Sequence, residues 1–297
     1  MGMFRKVLFI VNPSSGRKKI EGLEKSIQQY CNAIKIECQI EETEGKGHAT
    51  EIAIRGVQGK FDLIFAVGGD GTVHEVAKGL VHTDVVMGIL PKGSGNGLAR
   101  HLGIPRKPVK ALDLLTEGKV ICMDTLNVNN EISVNVSGVG FDGHIANLFG
   151  SGGKRGLREY VSLAATEFRK FKTFQVNGEI DGNSFQSDAF ILAVANSSQF
   201  GNNATVSPYA SVCDGLMDVC VIRKVPLLQG LGFAGKMFTR QMHKSAFAKI
   251  IKCKKAVFKF ENDIPYHIDG EGKSGASLFT FEVVPSSLNI LTSSDKI

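Results

Sequence analysis

The stretch FAVGGDGTVHEVAKGL, residues 65–80, joins the end of an apolar run to a glycine-rich turn and then to an amphipathic segment. The run that leads into it, FDLIFAV at residues 61–67, is typical of a strand buried on both faces, because it is almost continuously apolar. The apolar residues between Val73 and Leu80 recur at the spacing of one helix face. The stretch therefore predicts a strand, a tight turn and a helix in immediate succession.

The turn in this stretch predicts a phosphate site. Its glycines are Gly68, Gly69 and Gly71. We expect them to adopt positive φ and to let the backbone approach a ligand closely. Thr72 is predicted to cap the helix, with Glu75 three residues later completing a capping box. A helix N-terminus offers unpaired N–H groups, which suit an anion such as phosphate.

Asp70 lies inside this turn, where a carboxylate beside phosphates would be repelled unless it held a metal ion or handled a proton. Mg²⁺ bound between the carboxylate and the phosphates of a nucleotide resolves the conflict. The alternative is a plain strand–helix turn in which Asp70 hydrogen-bonds its own backbone.

Two more turns follow apolar strands in the same way. The stretch LPKGSGNGLARHLGIP, residues 90–105, alternates glycine with Ser94 and Asn96. Its Lys92 and Arg100 are candidates to face phosphate, although we expect both to face solvent. Since successive parallel strands end at one edge of a sheet, this loop and the first are expected to converge. VNPSSGR, residues 11–17, follows the first strand and is equally compatible with a phosphate-binding turn and a polar turn.

Up to about Asp124 the chain alternates between strand and helix patterns. Predicted strands are KVLFIV (6–11), IECQI (36–40), FDLIFAV (61–67) and VVMGIL (85–90). Helical spacing relates Ile20, Leu23, Ile27, Tyr30 and Ile34, and again Ala49, Ile52, Ala53 and Val57. This alternation predicts a parallel sheet covered by helices on both faces.

After Asp124 the pattern changes to short strands separated by turn signals, including a strand pair over ISVNVSGVGFDG (132–143). NVNNEIS (127–133) and EIDGNSF (179–185) predict hairpins. One helix is expected over 157–171 and another after Pro226. The fold class is therefore α/β, with an N-terminal parallel-sheet domain (1–124) and a C-terminal, mostly antiparallel β-sandwich domain (125–297), whose last residues are candidates for a return to the first domain.

Composition narrows the class of protein. The 297 residues are 43% hydrophobic with a formal net charge of +6, a mild basic excess that fits anionic partners but not a nucleic-acid-binding surface. The six cysteines form no C-x-x-C pair, so zinc and a disulfide framework are not expected. No apolar run approaches the roughly 18 residues of a membrane span. We expect a cytoplasmic protein with peripheral membrane contact.

Seven stretches resemble the diacylglycerol kinase catalytic family, which includes bacterial lipid kinases and sphingosine kinases. They are VNPSSGR, TEGKGHA, AVGGDGTVHEV, LPKGSGNGLAR, GVGFDGHIA, CDGLMDV and IDGEG, in the family's order from residue 11 to residue 272. The resemblance implies Mg²⁺-dependent transfer of phosphate from ATP to a lipid hydroxyl. It also implies a nucleotide-binding α/β domain and a β-sandwich domain with the active-site cleft between them.

The resemblance also implies roles for particular residues. The expected nucleotide contacts are Asn12, Pro13, Ser14, Ser15, Gly16, Thr43, Gly68, Gly69, Gly71, Thr72 and Ser94. Asp70 would act at the metal–phosphate centre. Asp214, with the carbonyl groups of Ser211 and Leu216, would hold a second Mg²⁺, although a plain hairpin turn is the alternative. Glu271 would be the general base, with Asp269 on the same strand face as its rival.

One position departs from the pattern. Many bacterial relatives carry an aspartate where this chain has Gly97, and the loop GSGNGLA is closer to the sphingosine kinase form. The acceptor therefore stays open between diacylglycerol-like and sphingoid-like lipids. Two other functions are weighed against a lipid kinase: an NAD kinase-like enzyme and a non-catalytic nucleotide- or lipid-binding module. The oligomeric state is open, a homodimer being one option.

Overall fold

The computed structural model describes residues 4–16, 22–151 and 157–293, which divide into two compact units. Within the described residues, unit 1 comprises 4–123 together with 286–293, and unit 2 comprises 124–285. The chain thus leaves unit 1 after Met123 and returns to it at Ser286.

Strands and helices alternate in the first part of the chain. The elements are β1 (Lys6–Val11), α1 (Leu23–Ala33), β2 (Glu37–Glu42), α2 (His48–Gln58), β3 (Leu63–Gly68), α3 (Asp70–Leu80), β4 (Val86–Pro91), α4 (Gly97–His101), α5 (Pro108–Ala111), α6 (Leu114–Glu117) and β5 (Lys119–Val128). The four predicted strands of this part are confirmed. Both predicted helices are present as α1 and α2, while Ile20, assigned to the first of them, lies outside the described residues.

Strands dominate the remainder. The elements are β6 (Glu131–Ser133), β7 (Val136–Gly140), α7 (Phe141–Ser151), α8 (Leu157–Glu167), β8 (Phe174–Ile180), β9 (Asn183–Ala189), β10 (Ile191–Ala195), β11 (Gln199–Gly201), β12 (Ala204–Thr205), β13 (Met217–Ile222), α9 (Gly230–Phe238), β14 (Ala248–Cys253), β15 (Lys255–Ile268) and β16 (Glu271–Thr292). Short 3₁₀ turns cover Leu227–Gln229 and Met242–Lys244. β5 and β16 contain residues of both units.

Unit 1 is built on a parallel sheet with the order β2–β1–β3–β4. β3 and β4 are buried along their whole length, whereas the edge strand β2 is at least partly exposed throughout. Phe9 and Phe65 are direct partners in the register and stack with their ring centroids 4.9 Å apart. Parallel strands buried on both faces are the expected result of continuous apolar runs, which confirms the predicted fold class for this unit.

Unit 2 is an antiparallel β-sandwich in which β14, β13, β10, β7, β15 and β16 pair in that order. Alternate residues of β10 face different apolar clusters: Leu192 and Val194 belong to the cluster that contains Phe258 and Phe279. Ala193, between them, belongs to a second cluster on the other face. The period of two therefore gives this strand two buried faces, in agreement with the predicted sandwich.

Both predicted hairpins of unit 2 are confirmed. β5 and β6 are joined at Asn129–Asn130, and β8 and β9 at Asp181–Gly182. All four turn residues have positive φ, as two-residue hairpin turns that match the twist of the strands require. Local sequence was sufficient here because asparagine, aspartate and glycine tolerate this conformation best.

The helices of unit 2 were predicted incompletely. The strand assigned up to Gly143 ends at Gly140, and α7 follows at once; its Phe141 and Ile145 pack on Phe190. The missed signal was the helical spacing of those two apolar residues, hidden by the glycines around them. α8 ends four residues before the predicted Phe171, and the helix expected after Pro226 is present as α9. Among the described residues, no helix is both long and apolar enough to span a bilayer.

Candidate active site

The turn after β1 is organised by Asn12. Its backbone N–H donates to the Val67 carbonyl (3.0 Å), and its Nδ2 donates to Thr72 Oγ1 (3.1 Å). Its Oδ1 accepts a hydrogen bond from the N–H of Ser14 (2.9 Å). Asn12 therefore ties the end of β1 to β3 and to the first turn of α3.

The rest of this turn lies against the second glycine loop. Pro13 is half-buried, Ser14 is exposed and Ser15 is buried. Gly16 has φ +82°, and a Cβ at this position would lie 2.5 Å from the carbonyl oxygen of Lys92. Only glycine satisfies both the left-handed conformation and this close approach.

The capping box predicted for α3 is wrong. The helix begins at Asp70 with Gly69 as its N-cap residue, so Thr72 lies within the first turn and accepts the hydrogen bond from Asn12. The Glu75 carboxylate accepts from the N–H groups of Gly47 (2.9 Å) and Ala49 (3.2 Å). Glu75 thus caps the neighbouring helix α2, because the packing of α2 beside α3 brings that helix N-terminus within its reach.

Gly68 and Gly69 of the first loop allow close packing and do not adopt positive φ. Within the described residues, none of the three glycines of this loop has a left-handed φ, and Gly69 has φ −97°. A Cβ on Gly68 would lie 2.3 Å from Thr72 Oγ1, and one on Gly69 would lie 3.2 Å from the Cα of Gly93. The prediction of positive φ is therefore wrong. The close approach that the structure shows is between the two loops, and a close approach to a ligand stays a prediction.

The two glycine loops meet at the carboxyl edge of the sheet, as expected for neighbouring strands. The N–H groups of Lys92 (2.7 Å) and Gly93 (3.2 Å) both donate to the Gly68 carbonyl. A Cβ on Gly93 would lie 2.5 Å from the Cα of Gly69. Side chains at these positions would force the loops apart.

Asp70 holds the two loops together. Its Oδ2 accepts from the N–H of Asn96 (2.8 Å) and its Oδ1 from the N–H of Gly97 (2.7 Å), at the start of α4. In these two bonds the backbone that Asp70 binds is that of the second loop, 26 and 27 residues away. A carboxylate at a helix N-terminus is also stabilised by the backbone dipoles.

Two cations of the second loop are half-buried and face the loops, which corrects the expectation that they are solvated. Lys92 Nζ donates to the Asn12 carbonyl (3.2 Å), and Arg100 Nε donates to the Gly95 carbonyl (2.9 Å). Burial lowers the pKa of the Arg100 guanidinium and Arg106 adds to this, while Asp70 acts in the opposite direction. The loops therefore combine positive charge with exposed backbone.

Unit 1 thus gathers its candidate nucleotide contacts at the ends of four parallel strands. Residues 12–16 follow β1, 68–72 end β3 and begin α3, and Ser94 is exposed in the loop after β4. Thr43 is buried directly after β2, where its N–H donates to the Val11 carbonyl (2.8 Å). The edge of an open parallel sheet is the usual place for a ligand in such folds.

The turn between β15 and β16 carries the two carboxylates proposed as general base. Asp269 and Gly270 are its central residues, with φ +50° and +89°, and Ile268 pairs with Glu271. Asp269 is buried and Glu271 half-buried. Asp269 is therefore a turn residue, and the expectation that it shares a strand face with Glu271 is wrong.

The Asp269 carboxylate is fully engaged with backbone and hydroxyl donors of unit 2. Its Oδ1 accepts from Ser133 Oγ (2.7 Å) and from the N–H of Asn135 (2.9 Å). Its Oδ2 accepts from the N–H of Val134 (2.9 Å). These bonds make Asp269 a fixed structural group. The role of Glu271 as general base stays a prediction.

His267 supports this turn and was missed from the sequence. Its Nδ1 accepts a hydrogen bond from the N–H of Gly270 (3.1 Å), and its Nε2 lies 3.3 Å from Asp142 Oδ2. Both side chains are buried, and a Cβ on Gly138 would lie 1.8 Å from Asp142 Oδ2. The motif GVGFDGHIA contains Gly138 and Asp142 and was recognised in the sequence. Nothing in it indicates a contact with a histidine over a hundred residues later.

The second predicted metal site lies in the turn before β13. Asp214 Oδ1 accepts from the Leu216 N–H (3.1 Å), and its Oδ2 lies 2.6 Å from Lys252 Nζ. Burial by itself would lower the pKa of Lys252, but the carboxylates of Asp214 and Asp218 outweigh it and raise that pKa. Ser211 Oγ accepts from the Cys213 N–H (3.3 Å).

The donor chemistry at both candidate metal positions suits Mg²⁺. No cluster of three histidine, cysteine or acidic side chains able to hold a metal occurs in the described part of the chain. Asp70 and Asp214 each offer one carboxylate. Mg²⁺ is usually bound by one or two carboxylates with substrate phosphates and water, and not by an all-protein cage. The residues present therefore fit this ion, with Lys252 as the competitor at Asp214.

Two family models match nearly the whole chain. A diacylglycerol kinase catalytic domain matches residues 6–128, and a YegS C-terminal NAD kinase beta sandwich-like domain matches residues 133–292. Among solved structures, a diacylglycerol kinase from Bacillus anthracis str. Sterne is 23% identical, with a TM-score of 0.78 and 100% of both chains covered. At this identity the structural similarity establishes the shared fold.

Named proteins of similar sequence point to the same family. A protein named Diacylglycerol kinase from Bacillus subtilis (strain 168) is 27% identical over 272 residues, which covers 90% of each chain. A protein named "Probable lipid kinase YegS-like" from Enterobacter sp. (strain 638) is 28% identical over 299 residues, covering 97% of this chain and 96% of the other. The chain therefore belongs to the family of diacylglycerol kinase-like and YegS-like lipid kinases.

Proposed function

We propose that this protein transfers the γ-phosphoryl group of ATP to a lipid hydroxyl and requires Mg²⁺. The observation that carries the proposal is the convergence of the two glycine loops, with Asp70 bound to the backbone N–H groups of Asn96 and Gly97. The same edge presents the N-terminus of α3, which no side chain caps within the described residues. Such an edge suits a nucleoside triphosphate, because backbone N–H groups and helix dipoles favour its negative charge.

The residues of unit 1 would bind and orient the nucleotide. The tight packing of residues 12–16 against the second loop, with Gly16 beside the Lys92 carbonyl, supports a rigid phosphate site. Lys92 and Arg100 add positive charge beside it. When bound, Mg²⁺ would offset the charge that develops on the transferred phosphoryl group, and Asp70 would be its protein ligand.

Glu271 would take the proton from the acceptor hydroxyl. An alkoxide is far too basic to form freely at neutral pH, so a positioned carboxylate assists as the bond to phosphorus forms. The bonds that occupy Asp269 support this assignment, and His267 would hold the turn that presents Glu271. In unit 2, Asp214 with the carbonyl groups of Ser211 and Leu216 would hold a second, structural Mg²⁺.

The acceptor is proposed to be a diacylglycerol-like lipid, with a sphingoid-like lipid as the alternative. The name of the Bacillus subtilis relative supports the first choice, while Gly97 resembles the sphingosine kinase loop. Since such substrates reside in a bilayer, we place the protein in the cytoplasm, peripherally attached to a membrane surface.

The test is a phosphorylation assay with purified full-length chain, radiolabelled ATP and Mg²⁺. The acceptors are diacylglycerol, monoacylglycerol, phosphatidylglycerol, sphingosine and ceramide in neutral detergent micelles, with NAD as a soluble control. We expect Mg²⁺-dependent labelling of a lipid and none of NAD. Labelling of NAD alone would make the protein an NAD kinase, and ATP binding without any labelled product would make it a binding module.

A further inference from the structure

The basic excess of this chain is concentrated in one segment. Residues 219–260 contain ten lysines and arginines and no aspartate or glutamate, so the other residues together carry a formal net charge of −4 against +6 for the whole chain. The whole segment belongs to unit 2 and includes α9 with the 3₁₀ turns on either side of it. The net positive charge of the chain is therefore located in this region.

α9 has one face on the core and one apolar face in solvent. Phe233 and Met237, four positions apart, pack against the cluster that contains Met242. Leu231 and Phe238 are 90% and 51% exposed. Because seven residues bring a helix back to within about 20° of the same direction, these two side chains share the outward face.

The turn that leads into α9 extends this exposed face. Leu228 is fully exposed and Leu227 is 60% exposed, so three leucines lie in solvent within five residues. Single exposed leucines are ordinary in soluble proteins, but a contiguous group is a sign of an interaction surface. Tyr209, 68% exposed, adds an aromatic ring close to His243, with its ring centroid 4.9 Å away.

Three cations of this segment are held by backbone carbonyl groups. Lys236 Nζ donates to the Lys244 carbonyl (3.0 Å), Arg240 Nη2 to the Pro208 carbonyl (3.0 Å) and Arg223 Nη2 to the Ala246 carbonyl (2.6 Å). Within the described residues, these three cations form no ion pair with a carboxylate. A carbonyl partner orients a cation without neutralising it.

We propose that this region, the α9 surface, docks onto a bilayer that contains anionic lipids. We define it by the apolar side chains Leu227, Leu228, Leu231, Phe238 and Tyr209 and the basic side chains Arg223, Lys236, Arg240 and Lys244. The leucines and the aromatic rings would enter the boundary between headgroups and acyl chains, while the cations contact lipid phosphates. The inference rests on the proposed function in one respect: a kinase for bilayer lipids needs a surface of this kind.

A membrane explains the α9 surface better than a second copy of the chain. A symmetric dimer would bring the same patch of both copies together. The cations of one copy would then lie against the equally basic patch of the other, with no carboxylate in the segment to balance them. An anionic bilayer can both bury the exposed leucines and balance the positive charge of the basic side chains.

The test measures co-sedimentation of the full-length protein with sucrose-loaded vesicles. One set of vesicles is pure phosphatidylcholine, and the other is phosphatidylcholine with about 30% phosphatidylglycerol as the anionic lipid. Leu228→Ser with Leu231→Ser should weaken binding to anionic vesicles by about tenfold or more. Lys236→Gln, Arg240→Gln and Lys244→Gln combined should weaken it by roughly ten- to a hundredfold and reduce its salt dependence. Matched controls in unit 1 are Val109→Ser, at a 47% exposed valine, and the exposed lysine set Lys60→Gln, Lys78→Gln and Lys110→Gln.

A fluorescent reporter locates the contact directly, because the chain contains no tryptophan. Leu231→Trp should shift its emission to the blue on addition of anionic vesicles and be quenched by brominated lipids, whereas Val109→Trp should do neither. Equal binding by all variants, or a shift at Val109→Trp alone, would overturn the proposal. So would conversion of a dimer to a monomer by the leucine variant, measured by sedimentation, with vesicle binding unchanged.

These readouts do not require catalysis, so they separate the docking surface from the proposed function. A protein that phosphorylates no lipid in neutral micelles but loses vesicle binding through the α9 variants has the docking surface without the kinase activity. A kinase with unchanged micelle activity and unchanged vesicle binding in those variants has the activity without this surface.

Discussion

The loop of Asp70 and the turn of Asp269 place an aspartate in a similar local setting with different consequences. Each follows a strand, is flanked by glycine and binds the backbone of a distant segment. Asp269 is buried and saturated with donors, whereas Asp70 is half-buried at the edge of an open sheet. The role of a carboxylate is thus set by what its oxygens already bind and by its access to a ligand, and not by the turn that carries it.

Asp70→Asn should give the largest effect on activity. Loss of the negative charge removes the proposed Mg²⁺ ligand and should lower kcat by roughly 10³–10⁵, the range for a charged group at a phosphoryl-transfer centre. Initial rates over a Mg²⁺ titration, with a thermal unfolding curve of the same sample, provide the measurement. Near-normal turnover at saturating Mg²⁺ would restrict Asp70 to holding the second loop, and an unfolded variant would make its role structural.

Glu271→Gln tests the other carboxylate that we propose takes part in catalysis. It preserves shape and removes basicity, so kcat should fall by roughly 10²–10⁴ while the affinity for ATP stays unchanged. Steady-state kinetics with the best lipid acceptor measure the fall in kcat. A separate ATP-binding measurement checks that the affinity for ATP is unchanged. If the variant turns over normally, the proton leaves by another route and the assignment of the general base is wrong.

Asp269→Asn should produce the opposite pattern, a loss of stability with a smaller loss of activity. The amide would turn an N–H toward one of the donors now bound by the carboxylate, at a cost of about 1–3 kcal/mol for an unsatisfied buried group. Urea unfolding measures it, and turnover is compared at a temperature where the variant is folded. A large fall in kcat without a change in stability would exchange the roles of Asp269 and Glu271.

Gly68→Ala should have the smallest effect of the four on activity, and we expect it to lower stability through packing. The new methyl group would meet Thr72 Oγ1 at 2.3 Å, and such overpacking costs about 1–3 kcal/mol. Gly45→Ala is the matched control in the same unit, since a Cβ there meets nothing within 4 Å. Equal unfolding free energies for the two variants would show that the loops adapt and that close packing does not explain the glycine.

Features with local causes were predictable from the sequence. The strands of unit 1 follow from continuous apolar runs, and the hairpins at 129–130 and 181–182 follow from residues that tolerate positive φ. The candidate nucleotide loops were found because glycine-rich segments follow predicted parallel strands. These patterns extend over a few residues, so they can be recognised without the fold.

Features that depend on distant partners were decided by the tertiary structure alone. Glu75 caps α2 and not its own helix, Asp70 binds a loop 26 residues away, and Asp269 binds Ser133 at a separation of 136 residues. The α9 surface is also of this kind, because spacing shows that a helix has an apolar face but not which face the core covers. Hydrogen bonds and apolar contacts form between residues that are close in space. When those residues are far apart in the sequence, no local pattern indicates that they will meet.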